Sequence, residues 1–311
     1  MYHYNIYEIL DDIQSGRRKK VILDSDTYNE EDDQYAVAYA MLSPDTIDLL
    51  ALQAAPFFND KSTGPEDGML KSYEELVNIA RLTNPHHNIP ILKGSRQFLS
   101  STSSPVDSPA ADNIIHTAKN SSERIYIIAI GAITNVASAI LKCPEIVRNL
   151  VVIWLGSHAE WTHEVGEFNM AQDVKAAQVL FDSQVPIVLI PALGGTVDLS
   201  ISVQELEEYL SGKNPLCDYL YHLVYDRMGK PFCGRKIIWD IGGIAAICLK
   251  DSMELTVSPT PILLDEMYGI YDPRRHPMIL ASRLNHDAIY ADLITKLTSL
   301  HNEQPKQLSG Q

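Results

Sequence analysis

The chain has 311 residues, 45% of them hydrophobic and 21% charged. That balance supports a sizeable core and excludes a disordered chain. The formal net charge of −15 argues against nucleic acid or an anionic membrane as a partner, since both need basic surface, and leaves a neutral small molecule unaffected.

Taken in chain order, residues 1–20 are polar and aromatic, with the basic cluster Arg17, Arg18, Lys19 and Lys20 at the wrong end for a signal peptide. No apolar run approaches the length of a membrane span. Short apolar runs then alternate with longer amphipathic ones. Strands are expected at 20–23, 47–54, 89–92, 125–130, 150–155 and 186–190, and helices at 32–41, 72–82, 109–118, 136–142 and 174–181. The helix at 109 opens Ser108-Pro109, a cap residue followed by a proline at the first helical position. Beyond Pro191, residues 203–229 read as largely helical, 237–249 as a helix, 259–264 and 276–280 as strands of an added hairpin or sheet edge, and 287–300 as an amphipathic helix. The last ten residues form a polar tail with no folding signal. Alternation of apolar strands with helices predicts an α/β fold: one open, mostly parallel sheet with helices on both faces, in a single domain with its core at about 20–300. Ligands bind such sheets outside the C-terminal strand ends, and Asp24-Asp26, Gln53–Asn59, Gly131 and Gly156-Ser157-His158 all follow predicted strands. Cys143, Cys217, Cys233 and Cys248 lack C-x-x-C spacing and read as reduced thiols of a cytoplasmic protein.

The most informative stretch is V-I-L-D-S-D-T-Y-N-E-E-D-D from Val21 to Asp33. A buried strand runs into Asp24 and Asp26, then Asp32 and Asp33 open a helix. Two carboxylates 4 Å apart repel by roughly 4 kcal/mol at an effective dielectric of about 20. A helix dipole accounts for one or two acids at a first turn, not for two more at a strand end. A hard divalent cation with oxygen ligands relieves the repulsion.

Asp24-x-Asp26 followed by Asp32-Asp33 resembles the N-terminal signature of the nucleoside hydrolases of the inosine–uridine-preferring type. Gly131-Ala-Ile-Thr-Asn135 resembles the family's G-P-L-T-N segment, and Glu167-Phe-Asn169 with Asp173 and Ala176-Ala177 resembles its E-F-N-x-x-x-D-P-E-A-A segment. Trp239-Asp240 stands where the family carries a late H-D pair. The four segments stand in register across about residues 20–295. The resemblance implies hydrolysis of the N-glycosidic bond of ribonucleosides, one Ca²⁺ per subunit and a homo-oligomer, dimer or tetramer. It implies that Asp26 ligates the cation and takes the proton of the attacking water. Asp33, Asp240 and the carbonyl of Ile130 are further ligands. Asp32, Asp240, Glu167, Asn169 and Asn59 hold the ribose, and Asp24 supports the metal ligands from behind.

Two departures stand out. Five residues separate Asp26 from Asp32 where the family pattern has three, and Glu30 and Glu31 are extra acids, either of which could replace a metal ligand. Trp239 replaces the histidine expected to protonate the departing base. His158, Trp161, Tyr221, Tyr225 and Trp239 are the candidates for contact with a base, each with core packing or an ordinary surface role as its alternative. Among histidines, His158, His163 and His222 are the candidate proton donors. Two other functions remain open: a ribose or nucleoside binder that kept the metal and lost turnover, and a phosphatase of the haloacid dehalogenase kind. The latter would use Asp24 as nucleophile, Asp26 as acid/base and Thr27 on the phosphate, leaving the later motifs without a role.

Overall fold

The computed structural model describes residues 4–162 and 164–300; the expected polar tail and His163 lie outside them. Helix α1 (Ile6–Gln14) opens the fold where no element was expected. Ile6, Ile9 and Ile13 share one buried face, and Asn5 caps it by accepting from the Tyr7 N–H at 3.1 Å. Next come β1 (Lys19–Ser25), α2 (Asp33–Met41), β2 (Ile47–Ala54), α3 (Pro65–Thr83), β3 (Ile91–Lys93), α4 (Pro109–Asn120) and β4 (Ile125–Ala129). They are followed by α5 (Thr134–Lys142), β5 (Leu150–Leu155), a short α6 (Phe168–Gln172), α7 (Val174–Asp182) and β6 (Ile187–Ile190).

The second half departs more from the pattern. The expected helix at 203–229 is broken in two. A short strand β7 (Ser200–Ser202) precedes α8 (Val203–Leu210), and α9 (Pro215–Arg227) starts afresh after Gly212, whose φ is +74°. Asn214 caps α9 and Pro215 occupies its first position, so the break is written in turn and cap residues. The helix expected from 237 begins at Ile241, as α10 (Ile241–Cys248), behind β8 (Arg235–Ile237). Then follow β9 (Glu254–Pro259), β10 (Pro261–Leu263), β11 (Gly269–Tyr271), β12 (Pro277–Ser282) and α11 (His286–Thr298).

Eight strands form one sheet in the order β3-β2-β1-β4-β5-β6-β12-β9. All neighbours are parallel except the edge pair β12–β9. Thus β12 extends the main sheet, while β10 and β11 form the small antiparallel hairpin. Strand period decides the two faces. Tyr126 and Ile128 of β4 pack into the core shared with α2, α3 and α8–α11, whereas Ile125 and Ile127 pack into the core shared with α4, α5 and α7. A strand buried on both faces must be apolar throughout, as β4 and β5 are. The chain leaves β1 toward β2 and β3, then returns to β4 on the other side. The crevice between the C-terminal ends of β1 and β4 is therefore the topological switch point, where open α/β sheets bind ligands.

Candidate active site

Six stretches of chain converge on that crevice. Asp26 directly follows β1; the loop beyond it supplies Asn29 and Glu30, and the start of α2 supplies Asp32 and Asp33. Ile130 follows β4, His158 follows β5, Glu167 to Asn169 begin α6, Ala192 and Leu193 follow β6, and Trp239-Asp240 enter α10. All of them line one pocket enclosing about 260 Å³, room for a small molecule and not for a polymer.

Close packing brings the acids together. At Gly131 a Cβ would stand 3.0 Å from the Asp26 carboxylate, so a larger residue would crowd Asp26 where the β4 turn passes β1. At Gly243 a Cβ would stand 3.1 Å from Ile128 Cγ2. The bare first turn of α10 thus lies tight on the sheet and delivers Asp240. Oxygens of Asp32, Asp33 and Asp240 lie within 4.8 Å of one another, and all three residues are buried. Asp33 accepts from Ser25 Oγ at 2.6 Å, and Asp32 accepts from the Trp239 N–H at 3.1 Å. Both carboxylate oxygens of Asp26 are buried without a hydrogen-bond partner.

Burial pushes the carboxyl of Asp26 well up, and the charges of Asp33 and Asp32 add to it. Burial raises Asp32 and Asp240 likewise, while the Lys236 ammonium works against the rise at Asp32. Asp33 is pushed up to about 7 by burial, against its bond from Ser25. An anion so enclosed has to be protonated or paired with a cation. These oxygens fit a hard cation: they are carboxylates, they are buried, and at Asp26 they lack any other partner.

Around this floor the remaining predicted residues sort themselves. Asp24 does not line the pocket. It is fully buried two residues earlier, in β1, with Oδ1 taking the Asn135 amide at 2.8 Å and its carboxyl pushed up to about 7 by burial. Asn135 also accepts from the N–H and Oγ of Ser95 at 2.7 and 2.8 Å. The T-N pair is therefore a brace between β1, β2 and the loop after β3. Its threonine, Thr134, donates to Asp173 at 2.7 Å, and Asp173 caps α7 by accepting from the Ala176 N–H at 2.9 Å. Glu167 caps α6, accepting from the N–H groups of Asn169 and Met170 at 2.9 and 3.2 Å. Burial still pushes it up to about 7. Glu167 thus both caps α6 and lines the pocket. Asn169 Nδ2 donates to the Leu155 carbonyl at 3.0 Å.

Other candidates fall away from the pocket. Asn59 is one residue removed, donating at 2.6 Å to Asn29, which does line it. Trp161 is 74% exposed, and it lies beside Gly194 next to the pocket wall rather than in it. Tyr221 is buried in the core and stacks on Tyr225 at 5.4 Å, and His222 is exposed. Their clustering in the sequence reflects the packing of α9, which the pocket does not touch. Of the residues considered for a base, His158 and Trp239 remain, joined by Phe168 and Leu193. Leu193 follows β6 in a Pro-Ala-Leu-Gly-Gly turn, and its place after a parallel strand was the available signal. The pocket thus has an acidic floor and an apolar mouth.

Among known proteins, the family described as inosine-uridine preferring nucleoside hydrolase matches residues 21–257. The chain belongs to that family. It is 27% identical over 186 residues to the non-specific ribonucleoside hydrolase RihC of Escherichia coli, across 55% of this chain and 60% of that protein. It is 26% identical over 230 residues to the pyrimidine-specific ribonucleoside hydrolase RihA of an Enterobacter species, across 66% of this chain and 69% of the relative. The match to the first of these spans less than two thirds of its length. Among solved structures, a plant nucleoside hydrolase superposes with a TM-score of 0.72 at 17% identity, over 91% of this chain and 99% of its own. A purine-preferring ribonucleoside hydrolase from Gardnerella vaginalis gives 0.69 at 21% identity, over 90% and 98%. These two share the fold. Family membership leaves the phosphatase alternative without support.

Proposed function

We propose that this chain hydrolyses the N-glycosidic bond of ribonucleosides, releasing ribose and a free base. The observation that carries the reading is the Asp26 carboxylate, buried and unpartnered at the switch point among three more buried acids. In this reading one Ca²⁺ per subunit is held by Asp26, Asp33, Asp240 and the Ile130 carbonyl. When bound, it supplies positive charge that eases deprotonation of water and attracts sugar hydroxyls. Asp26 accepts the proton of the attacking water. Asp32 and Asp240 bind ribose hydroxyls from the floor, and Glu167 and Asn169 bind the sugar from the α6 side. Asn59 acts through Asn29, and Asp24 holds the end of β1 through Asn135.

The base would sit at the apolar mouth, against Trp239, Phe168 and Leu193, with His158 the histidine that lines the pocket. Burial lowers the His158 pKa, so at neutral pH it is an uncharged hydrogen-bonding group rather than a stored proton. Departure of the base then leans on stabilising the sugar's positive charge in the transition state, not on protonation. Trp239 in place of an acid also favours one second reading, a nucleoside binder with little turnover.

Described residues include no helix long and apolar enough to cross a membrane. A cytoplasmic location and a homo-oligomer complete the proposal. Release of reducing sugar from a panel of nucleosides, with and without Ca²⁺, tests it. Sugar release that requires the cation is expected. Tight nucleoside binding without release would favour the binder, and neither would reject both.

A further inference from the structure

Two acids of the β1–α2 loop, Glu30 and Glu31, have no role in the chemistry above. Glu31 has a side chain only 9% exposed, ringed by three cations: Lys61 Nζ at 3.0 Å, Arg227 Nε at 3.2 Å and Lys236 Nζ at 3.3 Å. Glu30 lines the pocket, and its carboxylate pairs with the same Lys236 ammonium. Lys236 lies in β8, four residues before Asp240, with a side chain 17% exposed. Burial acts to strip its proton, but Asp32, Glu30 and Glu31 more than offset this and hold its pKa above the usual lysine value. A buried, charged lysine is costly unless several anions face it, and here they come from the lengthened loop.

We propose that Lys236 is the positioning residue of the cation site, pairing with Glu30 and Glu31 so that the lengthened loop holds Asp32 and Asp33 against Asp240 of its own segment. The two residues inserted between Asp26 and Asp32 give that loop freedom that a shorter one lacks. Lys236 removes this freedom by tying the insertion to the segment that delivers Asp240. It also keeps Glu30 occupied, so that a carboxylate at the pocket wall does not swing onto the cation in place of Asp33. The proposal rests on the reading of the floor as a cation site.

The sign of one substitution separates positioning from mere proximity. A positive charge that only sat near the acids would oppose a divalent cation, and deleting it would tighten binding. A charge that organises the ligands has the opposite effect when lost. Calorimetric titration of Ca²⁺ into chelator-stripped protein provides the measurement. Lys236→Met is expected to weaken Ca²⁺ binding by about tenfold or more, the scale seen when a residue supporting metal ligands is lost. Lys236→Arg, which keeps both pairs, is expected to restore most of the affinity. If the Met variant does not fold, Lys236→Gln, which keeps one donor, carries the same comparison. Binding as tight as wild type or tighter in the folded neutral variant overturns the proposal. Wild type that binds no Ca²⁺ instead defeats the cation reading itself, and the two failures are thereby distinct.

Discussion

Replacing Asn135 by alanine should be among the most damaging single changes outside the pocket. The amide makes four buried contacts: it accepts from the N–H and Oγ of Ser95 and donates to Asp24 Oδ1 and to the Ala54 carbonyl at 3.2 Å. Asp24 has no other donor, since its Oδ2 is already buried and unpartnered. Truncation therefore orphans the Ser95 N–H and Oδ1 of the fully buried Asp24 carboxyl, at about 1–3 kcal/mol each, and leaves a void as well. A loss of roughly 3–5 kcal/mol follows, a large fraction of the ~5–15 kcal/mol that holds a domain together. With an m-value of about 3 kcal/mol/M, the urea midpoint should fall by about 1 M or more. Asn135→Asp sharpens the argument. It keeps the shape and the acceptance from Ser95 but sets a second carboxylate against Asp24, whose own carboxyl is already pushed up to about 7. Two adjacent buried acids retain a proton that unfolded aspartates lose above about pH 4, so retaining it, or ionising both, costs more at pH 8 than at pH 5, and this variant should lose more stability at pH 8 than at pH 5. Urea unfolding of both variants at the two pH values is the assay. An alanine variant within about 1 kcal/mol of wild type, below the cost of a single orphaned group, would refute the brace.

Three further outcomes are expected. Asp26→Asn should fold, because it removes a charge from an acidic cluster, yet reduce turnover by about 10²-fold or more; near-normal sugar release would mean that another group is the base. With Trp239 in place of an acid, p-nitrophenyl riboside should be cleaved with a much higher kcat/KM than inosine or uridine, since its leaving group departs without protonation; uridine matching it would point to a dedicated acid, with His158 the first residue to replace. In chelator, the folded values of Asp24 and Asp33 near 7 lie above the ~3.9 of an unfolded aspartate. The folded chain then holds more protons, so its stability is full below about pH 4 and is lost as pH rises through 7. Thermal midpoints should therefore fall from pH 5 to pH 8 in chelator, and saturating Ca²⁺ should offset the fall by binding the ionised acids; a midpoint that is flat or rises over that range in chelator would count against buried, unneutralised acids.

Strand period and apolar continuity marked six parallel strands, because a strand buried on both faces carries that pattern locally. Four short segments in register also marked the family, since acids at strand ends and glycines at close approaches are visible as residue types. Helix α1 was legible in Ile6, Ile9, Leu10 and Ile13, the i, i+3, i+4, i+7 spacing of an amphipathic helix, and so was the break after α8, where Ser-Gly-Lys-Asn-Pro at 211–215 interrupts good helix formers on both sides. Which aromatic residues face the pocket was beyond the sequence altogether. Tyr221 and Trp239 are equally plausible partners for a base by composition, and only the packing of α9 into the core, against the entry of α10 at the switch point, separates them. The same holds for Glu31. Its three cations come from positions 61, 227 and 236, far apart in the chain, and Coulomb pairing at 3 Å leaves no local trace. Three of the four acids of the pocket floor were written in one stretch of sequence, as residue types; the fourth, Asp240, joins them only because α10 packs closely on the sheet beside Gly243, a long-range contact that no local pattern records.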